Sequence, residues 1–227
     1  KLILDPSSIR YELEYSLHLA TSGRPGPILL DIPVDVQRAE IDPKKLKGFT
    51  APSINKNSLN QKELDQIFEK LYLDLKKSER PVFLIGGGVQ NAEATDELHE
   101  LGKILKIPMF PTWNALDVIT SDYDYYCGRI GTYGGAGRNF GIQNSDLLIS
   151  IGSRISGRIT GGNVKTFARK AKKYMVDVDP GVLNREFQQV PFDENINCDA
   201  KIFINRFKEF LKKKKYVVGK KNNEWLQ

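Results

Sequence analysis

The sequence predicts an α/β fold, a Rossmann-like doubly wound parallel sheet, and three observations carry that expectation. Apolar runs of strand length recur at 82–85, 107–110, 147–151, 173–178 and 195–198. Segments with helical spacing alternate with them, at 92–105, near 138–143 and at 201–214. Two of the runs close on glycine, at Gly86 and Gly152, as buried strands do where they reach a sheet's carboxyl edge. Strict alternation of this kind implies parallel strands covered by helices on both faces.

Taken in order, the chain opens with Asp5-Pro6, an N-cap followed by proline at the first helical position. Ile9, Leu13, Leu17 and Ala20 then repeat at helical spacing until Thr21-Ser22-Gly23 ends the helix. Residues 28–32, bracketed by prolines and too short for a helix, read as a strand. One helix and one strand do not make a domain, so residues 1–37 are expected to be the end of another one. From Pro33 onward proline, lysine, asparagine and serine dominate without periodicity, which places an extended linker over 38–60. Leu64, Ile67, Phe68, Leu71 and Leu75 define an amphipathic helix over 61–77, which leads into the main domain, 61–215.

Composition narrows the function classes. The 227 residues with 40% hydrophobic content support one large core plus a fragment of another. The formal charge of +6 is concentrated in 212–215 and 220–221, a solvated helix end, and no nucleic-acid motif accompanies it. No membrane span and no secretory leader is expected, and Cys127 and Cys198 have neither metal-ligand nor disulfide spacing, so a cytoplasmic protein is the expectation. His18 and His99 lie in helical segments with no serine or cysteine partner in view, and no catalytic constellation emerges.

The binding chemistry points to the carboxyl edge. After the first strand come Gly86, Gly87 and Gly88, where a nucleotide's phosphates could rest, although the spacing is not GxGxxG and a tight turn is the competing reading. Around the third run stand Gly131, Gly134, Gly135 and Gly137 on one side and Arg154 and Arg158 on the other. Glycine admits close backbone approach and arginine offers a planar fork of donors, a combination suited to a phosphorylated ligand. The alternative is tight turns plus arginines paired with surface carboxylates. Asp177 and Asp179 at the next strand end could accept from ribose hydroxyls, or Asp179 could simply cap a helix before Pro180.

GRPGPILLDIPVDVQ at 23–37, RPVFLIGGG at 80–88, GSRISGRITGG at 152–162 and YMVDVDP at 174–180 together resemble thiamine diphosphate-dependent enzymes of the acetolactate synthase type. The resemblance covers nearly the whole chain. It implies that 1–37 ends a pyrimidine-binding domain, that 61–215 is the central domain, and that 216–227 starts the connection to a pyrophosphate-binding domain. It further implies that thiamine diphosphate and magnesium are held outside these residues; the family's GDG motif does not occur here. Carried over by position, Gly86, Gly87, Gly88, Thr132, Gly134, Arg154, Ile155, Arg158, Asp177, Asp179, Asp199 and Ala200 would line a groove for FAD or ADP. Two positions depart from the family pattern. Ser156-Gly157 replace acidic residues between the arginines, and GTYGG at 131–135 replaces a GMHG-like turn. The implied whole protein is a homo-oligomeric enzyme acting on a 2-oxo acid, the piece in hand being inactive alone. A nucleotide-binding regulatory module is the competing class, and a sirtuin-like NAD-dependent deacylase lacks that family's motifs.

Overall fold

A computed structural model describes residues 1–52, 59–186, 188–219 and 224–225. The chain divides into two compact units, Lys1–Lys56 and Asn57–Gln227.

In the first unit, Asp5 accepts from the Ser7 N–H at 2.9 Å and caps a short turn, Pro6–Ser8, which runs into helix α1, Ile9–Thr21. Proline at the first position costs nothing there, because its missing N–H has no intrahelical acceptor. Leu13 and Leu17, expected on an apolar stripe, are 49% and 65% exposed. The stretch expected as a strand over 28–32 forms only a single parallel bridge, Asp31 to Leu2; with one neighbour residue there is no ladder to extend. Helix α2, Val34–Arg38, follows.

The start of the stretch expected to be extended instead folds back on α1. The Phe49 ring sits edge-on to Tyr11 at 5.6 Å and packs on Tyr15 at 5.1 Å, while its N–H donates to Glu14 at 2.6 Å. Glu14 also accepts from Arg10 at 2.8 Å, and Arg10 reaches the Pro43 and Leu46 carbonyls. An aromatic ring and a carboxylate acceptor on α1 override the lack of periodicity. The remainder of the expected linker, residues 53–58, lies outside the described residues.

The second unit begins with α3, Gln61–Lys77, whose Asn60 and Glu63 form a reciprocal capping box. Among the described residues it contains five strands: β1 Pro81–Ile85, β2 Met109–Pro111, β3 Leu147–Ile151, β4 Lys172–Asp177 and β5 Glu194–Asn197. All pairings are parallel, in the order β2-β1-β3-β4-β5. The expected fold class is therefore borne out. Strand residues alternate between two apolar clusters. Phe83, Ile85, Ile149 and Val176 meet α3, α5 (Thr95–Leu105) and α9 (Ala200–Lys213), whereas Val82, Leu84, Leu148 and Met175 meet α6 (Ala136–Gln143) and the segments leading into β4 and β5. The period-two alternation of a strand is what divides one sheet between two cores. Phe68 on α3 and Phe203 and Phe207 on α9 pack with ring centroids 5.3–5.9 Å apart in the first cluster; burying each such ring stabilises by about 1.5–3 kcal/mol. Lys208 lies with its stem in this layer and its ammonium on Glu100 at 2.6 Å.

The strand order reverses direction once. From β1 the chain steps outward to β2, then returns across β1 to β3 and continues to β4 and β5. The connections after β1 and β3 consequently cover opposite faces of the sheet, and the carboxyl edge at these two strands is the switch point, the place where open α/β sheets bind ligands.

Candidate functional site

Four loops converge at this switch point: the glycine run after β1, Thr112–Asn114 after β2, the turn around Gly131, and the segment after β3. The first and last are locked together. The Gly86 N–H donates to the Ile151 carbonyl at 2.9 Å and the Gly88 N–H to the Gly152 carbonyl at 3.0 Å. A Cβ on Gly86 would stand 2.1 Å from the Gly152 oxygen, and one on Gly88 would stand 2.7 Å from the Gly152 Cα. Gly152 itself has φ of 62°, and Gly87 faces the Asn114 carbonyl, which an added Cβ would approach to 2.7 Å. These glycines let two backbone segments interdigitate, and the amides of Gly86 and Gly88 are engaged within the chain.

The same holds one loop further on. Gly131, with φ of 114°, lies against the Arg158 carbonyl, which an added Cβ would meet at 2.4 Å. That carbonyl accepts from the Thr132 N–H at 2.9 Å and its hydroxyl at 3.2 Å. Asn139 on α6 closes the turn by bonding both the N–H and the carbonyl of Gly131, and the Gly134 N–H returns to the Gly131 carbonyl at 2.8 Å.

The arginines stand differently. Arg154 and Arg158 are exposed, and among the described residues neither enters an ion pair. Pairing with surface carboxylates, the competing reading of these side chains, is thus not what the described residues do. Between them Ile155 is only 5% exposed and has φ of 46°. A β-branched residue in the left-handed region is a true outlier, held at a cost of about 1–3 kcal/mol.

The acidic positions lie one and two strands further along the edge, on β4 and after β5. The buried Asp177 carboxylate accepts from the Asp179 N–H at 3.0 Å, and Asp179 caps helix α8, Pro180–Leu183, through the Gly181 N–H at 2.8 Å. Asp199 caps α9, accepting from Lys201 at 2.9 Å and Ile202 at 3.2 Å, with Ala200 buried as the first helical residue. Asn197 ties the two loops by donating to the Asp177 and Val178 carbonyls. Each of the three carboxylates serves its own turn or helix. Asp199→Ala should therefore lower stability by about 1 kcal/mol, the usual value of an N-cap, and the unfolding midpoint by about 2–4 °C. Thermal melts read by circular dichroism check this, an unchanged midpoint counting against the cap.

Sequence reasoning overlooked Trp113, Arg129 and Arg138. The Arg129 guanidinium lies 5.0 Å over the Trp113 ring, the exposed Tyr133 stands edge-on to Trp113 at 6.3 Å, and Arg138 lies along Gly128 and Gly135. The carboxyl-edge rule that picked out Gly86 and Gly152 reaches Trp113 too, since Thr112-Trp113 directly follows β2.

Burial pushes the Cys127 thiol up, and burial together with the neighbouring Asp199 carboxylate pushes Cys198 up to about 12, leaving both protonated at neutral pH. His99 stacks on Tyr123 at 4.5 Å with Nε2 2.7 Å from the Val118 carbonyl, a packed structural position. Among the described residues no group of three or more His, Cys, Asp or Glu side chains is arranged to hold a metal ion, and no helix is long and apolar enough to cross a membrane.

Comparison with known proteins agrees with the fold. The acetolactate synthase large subunit of Corynebacterium glutamicum is 37% identical over 220 residues, 94% of this chain and 33% of that protein. A probable acetolactate synthase large subunit of Methanococcus aeolicus is 34% identical over 217 residues, 92% of this chain and 34% of that protein. Acetolactate synthase 1 of Zea mays is 30% identical over 227 residues, 98% of this chain and 34% of that protein. The chain thus spans about a third of the length of these curated relatives. The family described as thiamine pyrophosphate enzyme, central domain, matches residues 68–207, which takes in every strand of the parallel sheet and its switch-point loops; the chain belongs to that family.

Proposed function

We propose that this chain is the central part of a thiamine diphosphate-dependent enzyme that makes or breaks carbon–carbon bonds beside the carbonyl of a 2-oxo acid, as the acetolactate synthase relatives suggest. Its own contribution is a groove for the diphosphate of ADP or FAD. Thiamine diphosphate, when bound, supplies the nucleophile and electron sink for such chemistry. The observation that carries the groove is the pair Arg154 and Arg158, exposed at the switch point and without an ion pair among the described residues.

The fit favours side-chain over main-chain capture. The Gly86, Gly88, Thr132 and Gly134 amides all donate within the chain, so a diphosphate is held by guanidinium forks rather than by a ring of amides. Arg129 and Arg138 add positive charge on the Trp113 side. The carboxylates of Asp177, Asp179 and Asp199 shape the far end of the groove through the turns they stabilise.

Calorimetric titration of the 227-residue chain tests this reading. ADP and FAD should both bind, and ADP at least about tenfold more tightly than adenosine, because hydrogen bonds to charged groups are worth about 1.5–3 kcal/mol. Absence of heat with both ADP and FAD, or equal affinity for ADP and adenosine, overturns it.

A further inference from the structure

We propose that Ile155 is the positioning residue of the arginine pair: its buried side chain pins a left-handed turn of backbone that presents Arg154, on the loop after β3, together with Arg158, on the one-turn helix Gly157–Thr160 that follows. The proposal rests on the reading of that loop as the anion-binding part of the groove. Carried over from the family, Ile155 would line the groove; instead it packs beneath it, in the cluster containing Leu148, Met175 and Phe167. Arg154, next to it, and Arg158, three residues on, remain exposed.

A φ of 46° is what glycine or asparagine supplies easily and what a β-branched side chain resists. Such a conformation persists only where the surroundings over-determine it. On the N-terminal side Gly152 is wedged against Gly88, and the Ile155 N–H points back to the Ser153 hydroxyl at 3.4 Å. On the C-terminal side the Ser156 carbonyl accepts from Ile159 at 2.8 Å and Thr160 at 3.2 Å, and the Arg158 carbonyl accepts from Thr132. Ile155 is the buried apolar anchor here, with half-buried Ile159 packed on the same cluster one turn later, and Ile155 is the strained residue. Glycine here would remove the strain but also the anchor, and the loop would be free to turn the arginines apart. The isoleucine therefore trades backbone ease for a fixed presentation of two cations.

Two readouts on the full chain test this: ADP titration, and amide exchange at Thr132, whose N–H reports the position of the Arg158 carbonyl without any ligand. In Ile155→Gly and Ile155→Ala, ADP affinity should fall about tenfold and the Thr132 amide should exchange about tenfold faster, while amides inside β3 keep the parent rate. Ile155→Val, which restores a buried branched anchor, should return both to within about twofold of the parent. Parent-like Thr132 exchange in the glycine and alanine variants overturns the proposal, as does parent-like ADP affinity in a folded variant. If the parent itself binds no ADP, the groove reading fails, and Thr132 exchange alone still decides the role of Ile155. Should Ile155→Ala not fold, Ile155→Leu is expected to keep slow Thr132 exchange, and fast exchange there counts against the anchor.

Discussion

Gly86→Ala is expected to destabilise the second unit by about 3–5 kcal/mol, a loss at the extreme of what single substitutions produce. The reason is geometric. The new Cβ would stand 2.1 Å from the Gly152 oxygen and 2.5 Å from both the Gly152 carbonyl carbon and the Ser153 Cα. All three are backbone atoms, so no side chain can rotate out of the way. Relief requires moving β3 away from β1, and the Gly86 N–H to Ile151 carbonyl bond lies at that seam. Both strands are wholly buried, so any shift is transmitted to two cores at once. At about 2–4 °C per kcal/mol the unfolding midpoint should fall by about 6–20 °C. Gly137→Ala is the control: nothing lies within 4 Å of the added Cβ on helix α6, and it should be neutral or stabilising by about 0.4–1 kcal/mol. Urea unfolding of the two variants decides the matter. A loss below about 1 kcal/mol for Gly86→Ala would mean that the interlock yields far more easily than a packed interior does.

The second large effect is on ligand affinity. The double variant Arg154→Ala, Arg158→Ala should weaken ADP binding by about a hundredfold or more, two charge-assisted contacts of about 1.5–3 kcal/mol each being removed. Each single variant should lose about tenfold. Because both side chains are exposed, the lower end of that range applies, and the affinity of the parent should fall as salt is raised. Asp177→Asn should change affinity far less, since the amide oxygen of asparagine can still accept from the Asp179 N–H that the carboxylate accepts now. Thermal midpoints of the arginine variants should stay near the parent, because no ion pair among the described residues is lost. Equal losses for the arginine and aspartate variants, measured by calorimetry, would assign the affinity to the loop framework instead of to the guanidinium groups.

Most of the strand and helix positions were legible from the residues. The apolar run at 147–151 coincides with β3, and the amphipathic run at 61–77 coincides with α3. Each of these signals is local: a period of two or 3.6 residues and a cap within four positions identify a strand or helix without reference to distant chain. The helix expected over 92–105 starts later in the structure, as α5 at Thr95, and Glu93 at φ of 51° separates it from a short preceding helix, α4 (Gly88–Asn91). The strand expected over 28–32 and the extended reach after Pro33 were misjudged for the opposite reason. Whether a short apolar stretch becomes a strand depends on a neighbour to pair with, and whether a polar stretch stays extended depends on a surface such as that of α1 being within reach of Phe49.

The candidate site divides along the same line. That glycines and arginines gather at the carboxyl edge was readable, because strand ends and residue types are both local facts. What each glycine is for was not. Gly86 and Gly152 lie 66 positions apart in the chain, yet a missing Cβ on one matters only because the other's backbone occupies that volume. Likewise, an amide counts as a phosphate donor only if no carbonyl already accepts it, and the acceptors of Gly86 and Gly88 come from a different strand's end. The sequence by itself determined a parallel α/β sheet, its helices and the cationic character of its edge, because periodicity, capping and charge act over a few residues. Only the tertiary structure decided that the glycines serve an interlock, that Asp199 caps α9, and that Ile155 turns inward between two outward arginines. Those outcomes depend on excluded volume and hydrogen-bond competition between segments that meet only when the sheet has formed.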